Sequence, residues 1–249
     1  MIIFITGASA GFGQAMARRF IKEGHIVIAT ARRLERLTQL KQELGDNLIP
    51  LCLDVRHEEE VKKAIDSLPT HLQKIDVLVN NAGLAVGTTP IQDSHIEDWK
   101  TMIETNINGL LYTTHYVLKK MMANQKGHII NLGSVAGEFP YPGGNVYGAT
   151  KAFVHQLSLN MRADLVANNI RVTNIEPGMC ETEFSIVRFN GDENKARDVY
   201  KNMTPLSADD IAETVLWAIT RPAHVNINVI SLMPTQQAFA PFNVARTNT

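Results

Sequence analysis

A tyrosine and a lysine four positions apart are the residues of this sequence most able to do chemistry. Tyr147 and Lys151 would share one face of a helix. A phenol has an ordinary pKa of about 10, too high for a base at neutral pH, but a nearby ammonium favours its phenolate form. The pair therefore predicts a proton-transfer couple in which Lys151 lowers the phenol pKa. Taken alone, the same spacing is also typical of an ordinary amphipathic helix.

Two further polar residues could complete this couple. Ser134 follows an apolar segment and could hold a substrate oxygen while charge develops on it. Asn106 could supply a site in a proton relay. With Tyr147 and Lys151 they predict a catalytic set of four for acid–base chemistry on an alcohol or a carbonyl group.

A glycine-rich turn stands close to the start of the chain. Gly7, Gly11 and Gly13 have the spacing GxxxGxG, between a strand-like and a helix-like segment. Glycine can adopt a positive φ and lets the backbone approach a ligand, and the free N–H groups of a following helix can bind a pyrophosphate. The turn therefore predicts a dinucleotide site, with an ordinary tight strand–helix turn as the alternative.

The second apolar segment ends in two arginines. Folds that prefer NAD place an acidic residue here to bind the ribose 2′-hydroxyl. This chain instead has Arg32 and Arg33, which suit a 2′-phosphate, and Ser9 can add a hydroxyl donor. The prediction is NADP rather than NAD, and the alternative is a solvated basic helix start, since Arg36 follows.

Polar and small residues also follow the third and fourth apolar segments. Asp54 could accept a hydrogen bond from the adenine amino group, and the Asn-Asn-Ala-Gly sequence at 80–83 could line the cofactor ribose. Either could be simple turn chemistry. Because the carboxyl ends of parallel strands share one edge of a sheet, they are expected to outline a single crevice.

The rest of the chain alternates short apolar segments with longer amphipathic ones. Strands are predicted at 2–6, 26–30, 48–53, 77–80, 128–132, 171–176 and 228–232, and helices at 13–23, 34–44, 58–67, 95–123, 146–168 and 208–220. The strands are mostly continuously apolar, which is typical of parallel strands buried on both faces. The pattern predicts one α/β domain over residues 1–249, a Rossmann-type doubly wound parallel sheet of about seven strands with helices on both faces.

One irregular stretch, at about 178–207, interrupts this alternation. A long segment at such a point is typical of a functional lid. Arg188 lies within it and is the candidate to bind a substrate carboxylate, with a plain surface arginine as the alternative.

Composition excludes several classes of protein. The net charge of −1 gives no basic excess for nucleic acid or an anionic membrane. No apolar run approaches the roughly 18 residues of a membrane span, and no signal peptide is recognised, so a cytoplasmic location is expected. Cys52 and Cys180 lie in no metal-binding or disulfide pattern and the eight histidines have no metal-ligand spacing, so no metal site is predicted.

In combination these motifs resemble the short-chain dehydrogenase/reductase family over essentially the whole chain. The resemblance rests on the turn at 6–13, Asp54, the segments 80–83 and 106–109, Ser134, Tyr147, Lys151, and Pro177-Gly178 leading to Thr182. It implies a catalytic set of Asn106, Ser134, Tyr147 and Lys151, with Thr182 near the nicotinamide amide. The expected cofactor site comprises Gly7, Ala8, Ser9, Ala10, Gly11, Phe12, Gly13, Arg32, Arg33, Asp54, Val55, Asn81, Ala82, Gly83, Tyr147, Lys151, Pro177, Gly178 and Thr182.

Further features resemble a group within this family that acts on 3-hydroxy acids with NADP. They are Phe12 and the segments 143–146, 175–178 and 222–228. Ala10 departs from many NADP-binding relatives, which are often basic at this position. The resemblance implies hydride transfer at the 3-carbon of a small hydroxy or oxo acid such as serine, L-allo-threonine, 3-hydroxypropionate or malonic semialdehyde, with Ser134, Tyr147 and Arg188 contacting the substrate.

Two alternatives to this function remain open. Another carbonyl, sugar or acyl compound could be the substrate, or the chain could be a non-catalytic protein that senses NADP. The family also pairs the helices at about 95–123 and 146–168 between subunits, which implies a homotetramer.

Overall fold

A single parallel sheet organises the computed structural model, which describes residues 1–189 and 191–239. The strand order is β3-β2-β1-β4-β5-β6-β7, and every neighbouring pair is parallel. The strands are β1 (Ile2–Thr6), β2 (Ile26–Ala31), β3 (Leu48–Cys52), β4 (Val77–Asn80), β5 (Gly127–Leu132), β6 (Ile170–Pro177) and β7 (Val229–Leu232). The predicted doubly wound sheet of seven strands is confirmed. The predicted domain and lid extend over Asn190 and residues 240–249, which lie outside the described residues.

Helices connect the strands and cover both faces of the sheet. They are α1 (Gly11–Lys22), α2 (Leu34–Leu44), α3 (Glu58–Asp66), α4 (Ile96–Ile103), α5 (Gly109–Asn124), α6 (Asn145–Asp164), α7 (Glu183–Arg188), α8 (Glu193–Asp198) and α9 (Ala208–Ile219). Within the described ranges, none of them is both long and apolar enough to cross a membrane.

The apolar strands are buried because each face of the sheet has its own helical layer. In β1, Ile3 and Ile5 pack in the core that includes Phe20 of α1, on one face. Phe4, between them, points to the other face and packs in the core that includes Val117 of α5. Side chains alternate between faces along a strand, so burial of both faces requires the continuous apolar run seen in the sequence.

The strand order reverses between β1 and β4, and this reversal creates the ligand crevice. The chain passes from β1 outward to β2 and β3, then returns to β4 on the opposite side of β1. Helices leaving β1 and β4 therefore lie on opposite faces, and a crevice opens beyond the carboxyl ends of these strands. The glycine turn after β1 and the asparagines at the end of β4 meet there.

Two predicted segments differ in detail from the structure. The helix expected over 95–123 is interrupted by a π-helical turn, Glu104–Asn108, which carries Asn106. Such wide turns are often found at functional sites because they redirect a side chain from the helix face. The stretch expected to be irregular contains α7 and α8, whose first turns are capped by the side chains of Thr182 and Asp192.

A buried histidine in β5 should make the fold sensitive to acid. Burial, followed by the charge of Arg171, lowers the pKa of His128 to about 3. A folded pKa below the unfolded value means that stability is present above pH 6.5 and is lost as the pH falls toward 3. Because of His128, we expect the free energy of unfolding to fall by about 2 kcal/mol when the pH is lowered from 7 to 5. Urea unfolding at the two pH values measures this.

His128→Gln should remove that part of the pH dependence. The matched control is His57→Gln, because His57 is exposed and paired with Glu60, and it should leave the pH dependence intact. If His128→Gln and the wild type lost equal stability between the two pH values, this histidine would not be responsible.

Candidate active site

The glycine turn leaves room for a ligand only because its key residues lack side chains. Gly7 has φ 69°, and a Cβ there would lie 2.9 Å from the Cα of Ala82. A Cβ on Gly13 would collide with the Gly7 carbonyl oxygen and lie 2.6 Å from Nδ2 of Asn81. The α1 N-cap, Ala10, makes no side-chain capping hydrogen bond. The first N–H groups of α1 therefore face the crevice without a capping side chain, which fits a pyrophosphate.

The end of β4 holds this turn in place through hydrogen bonds. Thr6 Oγ1 accepts from the backbone N–H groups of Asn81 at 3.0 Å and Ala82 at 2.9 Å. The Asn81 amide donates to the carbonyl oxygens of Thr6 at 2.8 Å and Gly7 at 3.1 Å. Asn81 thus links the ends of β1 and β4, and its side-chain Nδ2 is already hydrogen-bonded to the protein backbone.

The two predicted phosphate ligands have different surroundings. Arg33 donates from Nε and Nη2 to Ser9 Oγ, at 3.3 and 3.1 Å. Arg32 is exposed and also lines the crevice. The structure thus brings Ser9, Arg32 and Arg33 together at the end of β2. Their guanidinium and hydroxyl donors can bind a phosphate on the ribose.

A carboxylate from α7 reaches Arg33 and a third arginine, Arg36, which the sequence did not reveal. Glu183, the first residue of α7, accepts from Arg36 Nη1 at 2.8 and 3.0 Å and from Arg33 at 3.4 and 3.5 Å. Burial raises the pKa of Glu183, but the hydrogen bonds and charge of Arg36 outweigh it and hold that pKa below its usual value. These ion pairs link the first residue of α7 to Arg36 of α2 and to Arg33 just before it.

The carboxylate expected at the adenine end is paired within the protein. Asp54 accepts from Nε and Nη2 of Arg56, the shortest contact being 2.6 Å, and from the Arg56 backbone N–H. Burial raises the pKa of Asp54, but the Arg56 hydrogen bonds outweigh it, so the net pKa is lowered. A carboxylate has about four acceptor sites, and the four contacts with Arg56 match them, so an adenine amino group would compete with Arg56 for Asp54.

These residues line one open crevice of about 330 Å³, a volume within the range of ligand pockets. Of the predicted cofactor residues, it is lined by Gly7, Ser9, Ala10, Gly11, Phe12, Arg32, Arg33, Asp54, Val55, Asn81, Ala82, Gly83, Tyr147, Lys151 and Thr182. Ala8 and Gly13 are buried beneath the turn, and Pro177 and Gly178 end β6 beside the crevice without lining it. Unpredicted lining residues include Arg56, Thr105, Glu183 and Phe184.

Tyr147 and Lys151 lie together at the inner end of the crevice, on α6. The Tyr147 ring packs against Phe184 with centroids 5.6 Å apart. Lys151 Nζ lies 5.8 Å from the Tyr147 ring centroid and donates to the Leu132 carbonyl oxygen at 2.7 Å. Both side chains are buried, at 9% and 7% exposure. The helix thus holds a phenol and an amine in a largely dehydrated site.

Burial dominates the titration of both groups. It raises the pKa of Tyr147 to about 12, against the opposing charge of Arg188 and a hydrogen bond with Ser134. Burial also lowers the pKa of Lys151 to about 8. The sequence predicted a phenol pKa lowered by Lys151, but the pKa of Tyr147 is raised instead, because dehydration disfavours the charged form of each group.

The other two members of the predicted catalytic set differ in role. Ser134 Oγ accepts from the Ala136 N–H at 3.1 Å and is within hydrogen-bonding range of Tyr147. Asn106 is 2% exposed; its Oδ1 accepts from the Leu84 N–H and its Nδ2 donates to the Leu84 carbonyl oxygen. Ser134 can therefore meet a substrate oxygen, whereas Asn106 holds the backbone behind the site.

Arg188 lies over the ring of Tyr147. Its guanidinium carbon is 5.1 Å from the ring centroid of Tyr147, 5.4 Å from that of Phe184 and 5.7 Å from that of Tyr141. Nη2 donates to the Tyr141 hydroxyl at 2.5 Å, and Nε is buried with no hydrogen-bond partner among the described residues. An arginine with a spare buried donor at this place can receive an anionic group of a substrate.

No metal centre accompanies this arrangement in the part of the chain that is described. Within residues 1–189 and 191–239, no three His, Cys, Asp or Glu side chains are grouped as metal ligands.

Comparison with known proteins gives the same pattern. The family model described as short chain dehydrogenase matches residues 1–192. The chain is 55% identical over 248 residues to the NADP-dependent 3-hydroxy acid dehydrogenase YdfG of Salmonella typhi, covering 99% of this chain and all of that protein. It is 52% identical over 244 residues to serine 3-dehydrogenase of Agrobacterium fabrum, covering 98% of each.

A solved structure shows that the likeness extends to the whole fold. The closed form of serine dehydrogenase complexed with NADP⁺ superposes with a TM-score of 0.96, at 55% identity, over 99% of this chain and all of that one. At this coverage the likeness includes the chain segments that line the crevice.

Proposed function

This chain belongs to the short-chain dehydrogenase family, and we propose on that basis that it is an NADP-dependent oxidoreductase of small 3-hydroxy acids. The proposal is hydride transfer between the cofactor and the 3-carbon of compounds such as serine, L-allo-threonine, or 3-hydroxypropionate and malonic semialdehyde. The position of Arg188 over Tyr147 is the observation that supports a hydroxy acid as substrate, because it places a cation for the carboxylate beside the base. The relatives named for 3-hydroxy acid and serine dehydrogenation support it.

The crevice fits NADP by its own chemistry. The glycine turn and the start of α1 accommodate a pyrophosphate, and Ser9, Arg32 and Arg33 would hold a 2′-phosphate. Lys151 would contact the nicotinamide ribose and Thr182 the amide. The similar serine dehydrogenase structure, which contains NADP⁺, supports this assignment. When bound, NADP supplies the hydride acceptor in oxidation and the hydride donor in reduction.

The residues of this chain would manage the proton and the oxygen. In oxidation, the Tyr147 phenolate oxygen removes the proton of the 3-hydroxyl group, and in reduction the phenol returns it. Ser134 Oγ donates a hydrogen bond to the same oxygen of the substrate. Closure of the lid would exclude water from this step, and Arg188, the last residue of α7, would hold the carboxylate.

Substrate profiling tests the proposed class. With NADP⁺, we expect turnover of serine, L-allo-threonine and 3-hydroxypropionate. We expect kcat/KM for 1,3-propanediol to be lower by roughly 10- to 100-fold, because it lacks the carboxylate that forms a charge-assisted bond with Arg188. Initial rates of NADPH formation across this panel give the comparison. Turnover confined to bulky ketones, sugars or acyl compounds would assign the chain to another activity of the family.

The assembly and location follow the same proposal. We propose a homotetramer and a cytoplasmic location, which agree with the family resemblance. Light scattering of the purified protein measures the mass in solution, and a monomeric mass would contradict the tetramer.

A further inference from the structure

Arg188 also bears on how the catalytic base becomes charged. Tyr147 is buried, so its phenolate needs a compensating charge. Five polar or charged groups surround Tyr147: Lys151 on α6, Ser134 after β5, Tyr141 before α6, Arg188 at the end of α7, and Tyr200 after α8. Two of these five are cations.

The two cations are differently placed. The charge of Lys151 is turned toward the main chain, where Nζ donates to the Leu132 carbonyl oxygen at 2.7 Å. Arg188 lies over the ring at 5.1 Å, with a buried Nε that has no partner among the described residues. Tyr141 and Tyr200 are neutral phenols whose own ionisation would oppose that of Tyr147. Arg188 is therefore a second cation, besides Lys151, that is placed to stabilise a phenolate.

We propose that Arg188 supports the Tyr147 phenolate as well as the substrate carboxylate, so that the lid helps to create the base. This inference rests on the proposed function for its substrate. A carboxylate and a phenolate in one buried pocket repel each other, and a guanidinium beside both offsets that repulsion. The charge of Arg188 favours the ionised form of Tyr147, in agreement with this arrangement.

The lid sets the position of Arg188 from both ends of α7. At one end, Glu183 is clasped by Arg36 at 2.8 Å. At the other, the Arg188 carbonyl oxygen accepts from the Gly87 N–H at 2.9 Å, and its Nη2 donates to Tyr141. A lid held by these contacts brings the cation to Tyr147. An open lid would withdraw it, so a reactive phenolate would form mainly in the closed site.

The pH profile of oxidation distinguishes this role from simple carboxylate binding. The profile is that of the complex with NADP⁺, in which the positive nicotinamide ring would lower the pKa of Tyr147 from its value of about 12 in the protein alone. Activity requires the deprotonated base, so it is present above the Tyr147 pKa of that complex and is lost below it. Removing a cation raises that pKa, so Arg188→Ala should move the acid limb of kcat to higher pH by roughly one to two units. Arg188→Lys, which keeps the charge, should return the midpoint most of the way to that of the wild type.

Two substrates make the result decisive. The profile is measured with saturating 3-hydroxypropionate and with 1,3-propanediol, and Arg221→Ala is the matched control, because Arg221 stacks on Trp217 away from the site. A shift with both substrates supports the proposal. An unchanged midpoint, with only KM for the acid raised, would overturn it. If the wild type oxidises neither compound, the proposed function fails first, and the same profiles with an alcohol that it does oxidise test Arg188 separately.

Discussion

Tyr147→Phe should abolish turnover while leaving NADP binding nearly unchanged. The substitution removes only the hydroxyl oxygen, and the ring that packs against Phe184 stays in place. Loss of a general base or acid costs roughly 10²- to 10⁴-fold in rate. We therefore expect kcat to fall by about 10³-fold in both directions. Steady-state rates give kcat, and quenching of protein fluorescence by NADPH gives the affinity.

A second tyrosine provides the matched control for this variant. Tyr116 lies on α5, and its hydroxyl donates to Glu58 at 2.9 Å on an exposed surface. Tyr116→Phe should keep full activity. If Tyr147→Phe turned over substrate at the wild-type rate, the proposed proton transfer would be wrong. If Tyr147→Phe bound NADP normally without turnover, the activity that it had lost would be catalytic. The wild type would then not be a protein that only senses NADP.

The double variant Arg32→Ala/Arg33→Ala should convert a strong preference for NADP into a weak one. Each charge-assisted bond to a phosphate contributes about 1.5–3 kcal/mol, so losing two should weaken NADP binding by roughly 100-fold or more. Binding of NAD should change little, because its ribose carries no phosphate. Dissociation constants for both cofactors measure the difference. Equal losses for NAD and NADP would refute the phosphate assignment.

Arg36→Ala, in the first turn of the helix that follows these two arginines, is the matched control. Arg36 points at the lid carboxylate Glu183, and the ion pair is partly exposed, so its removal should change NADP binding only a few-fold. An Arg36→Ala loss as large as that of the double variant would place the phosphate one helical turn further along α2.

Much of the fold was predictable because the signals are local. Continuously apolar segments predicted all seven strands, since parallel strands covered on both faces cannot alternate with polar residues. The π-helical turn Glu104–Asn108 was not predictable. Its sequence continues the helical pattern on either side, and its wider geometry is held by the bonds of Asn106 to the backbone of Leu84 and to Thr150.

Part of the chemistry of the candidate site was also predictable from the sequence, because some of its signals are local. The glycines between β1 and α1 and the Tyr147–Lys151 spacing are short-range patterns. The ionisation of Tyr147 was not predictable from the sequence, because the pKa of Tyr147 depends on burial by segments distant in the chain. The sequence named Lys151 as the influence on the phenol, and the structure adds dehydration and Arg188.

By itself, then, the sequence determined the family, the doubly wound sheet, and the identity of the residues at the glycine turn and on the catalytic helix. Only the tertiary structure decided which charges meet. Glu183 pairs with Arg36 across 147 residues, and Arg188 reaches Tyr141 across 47. No local pattern encodes such pairs, because they arise where α7 packs against α2 and against the segment before α6. That packing also places Arg188 over the ring of Tyr147.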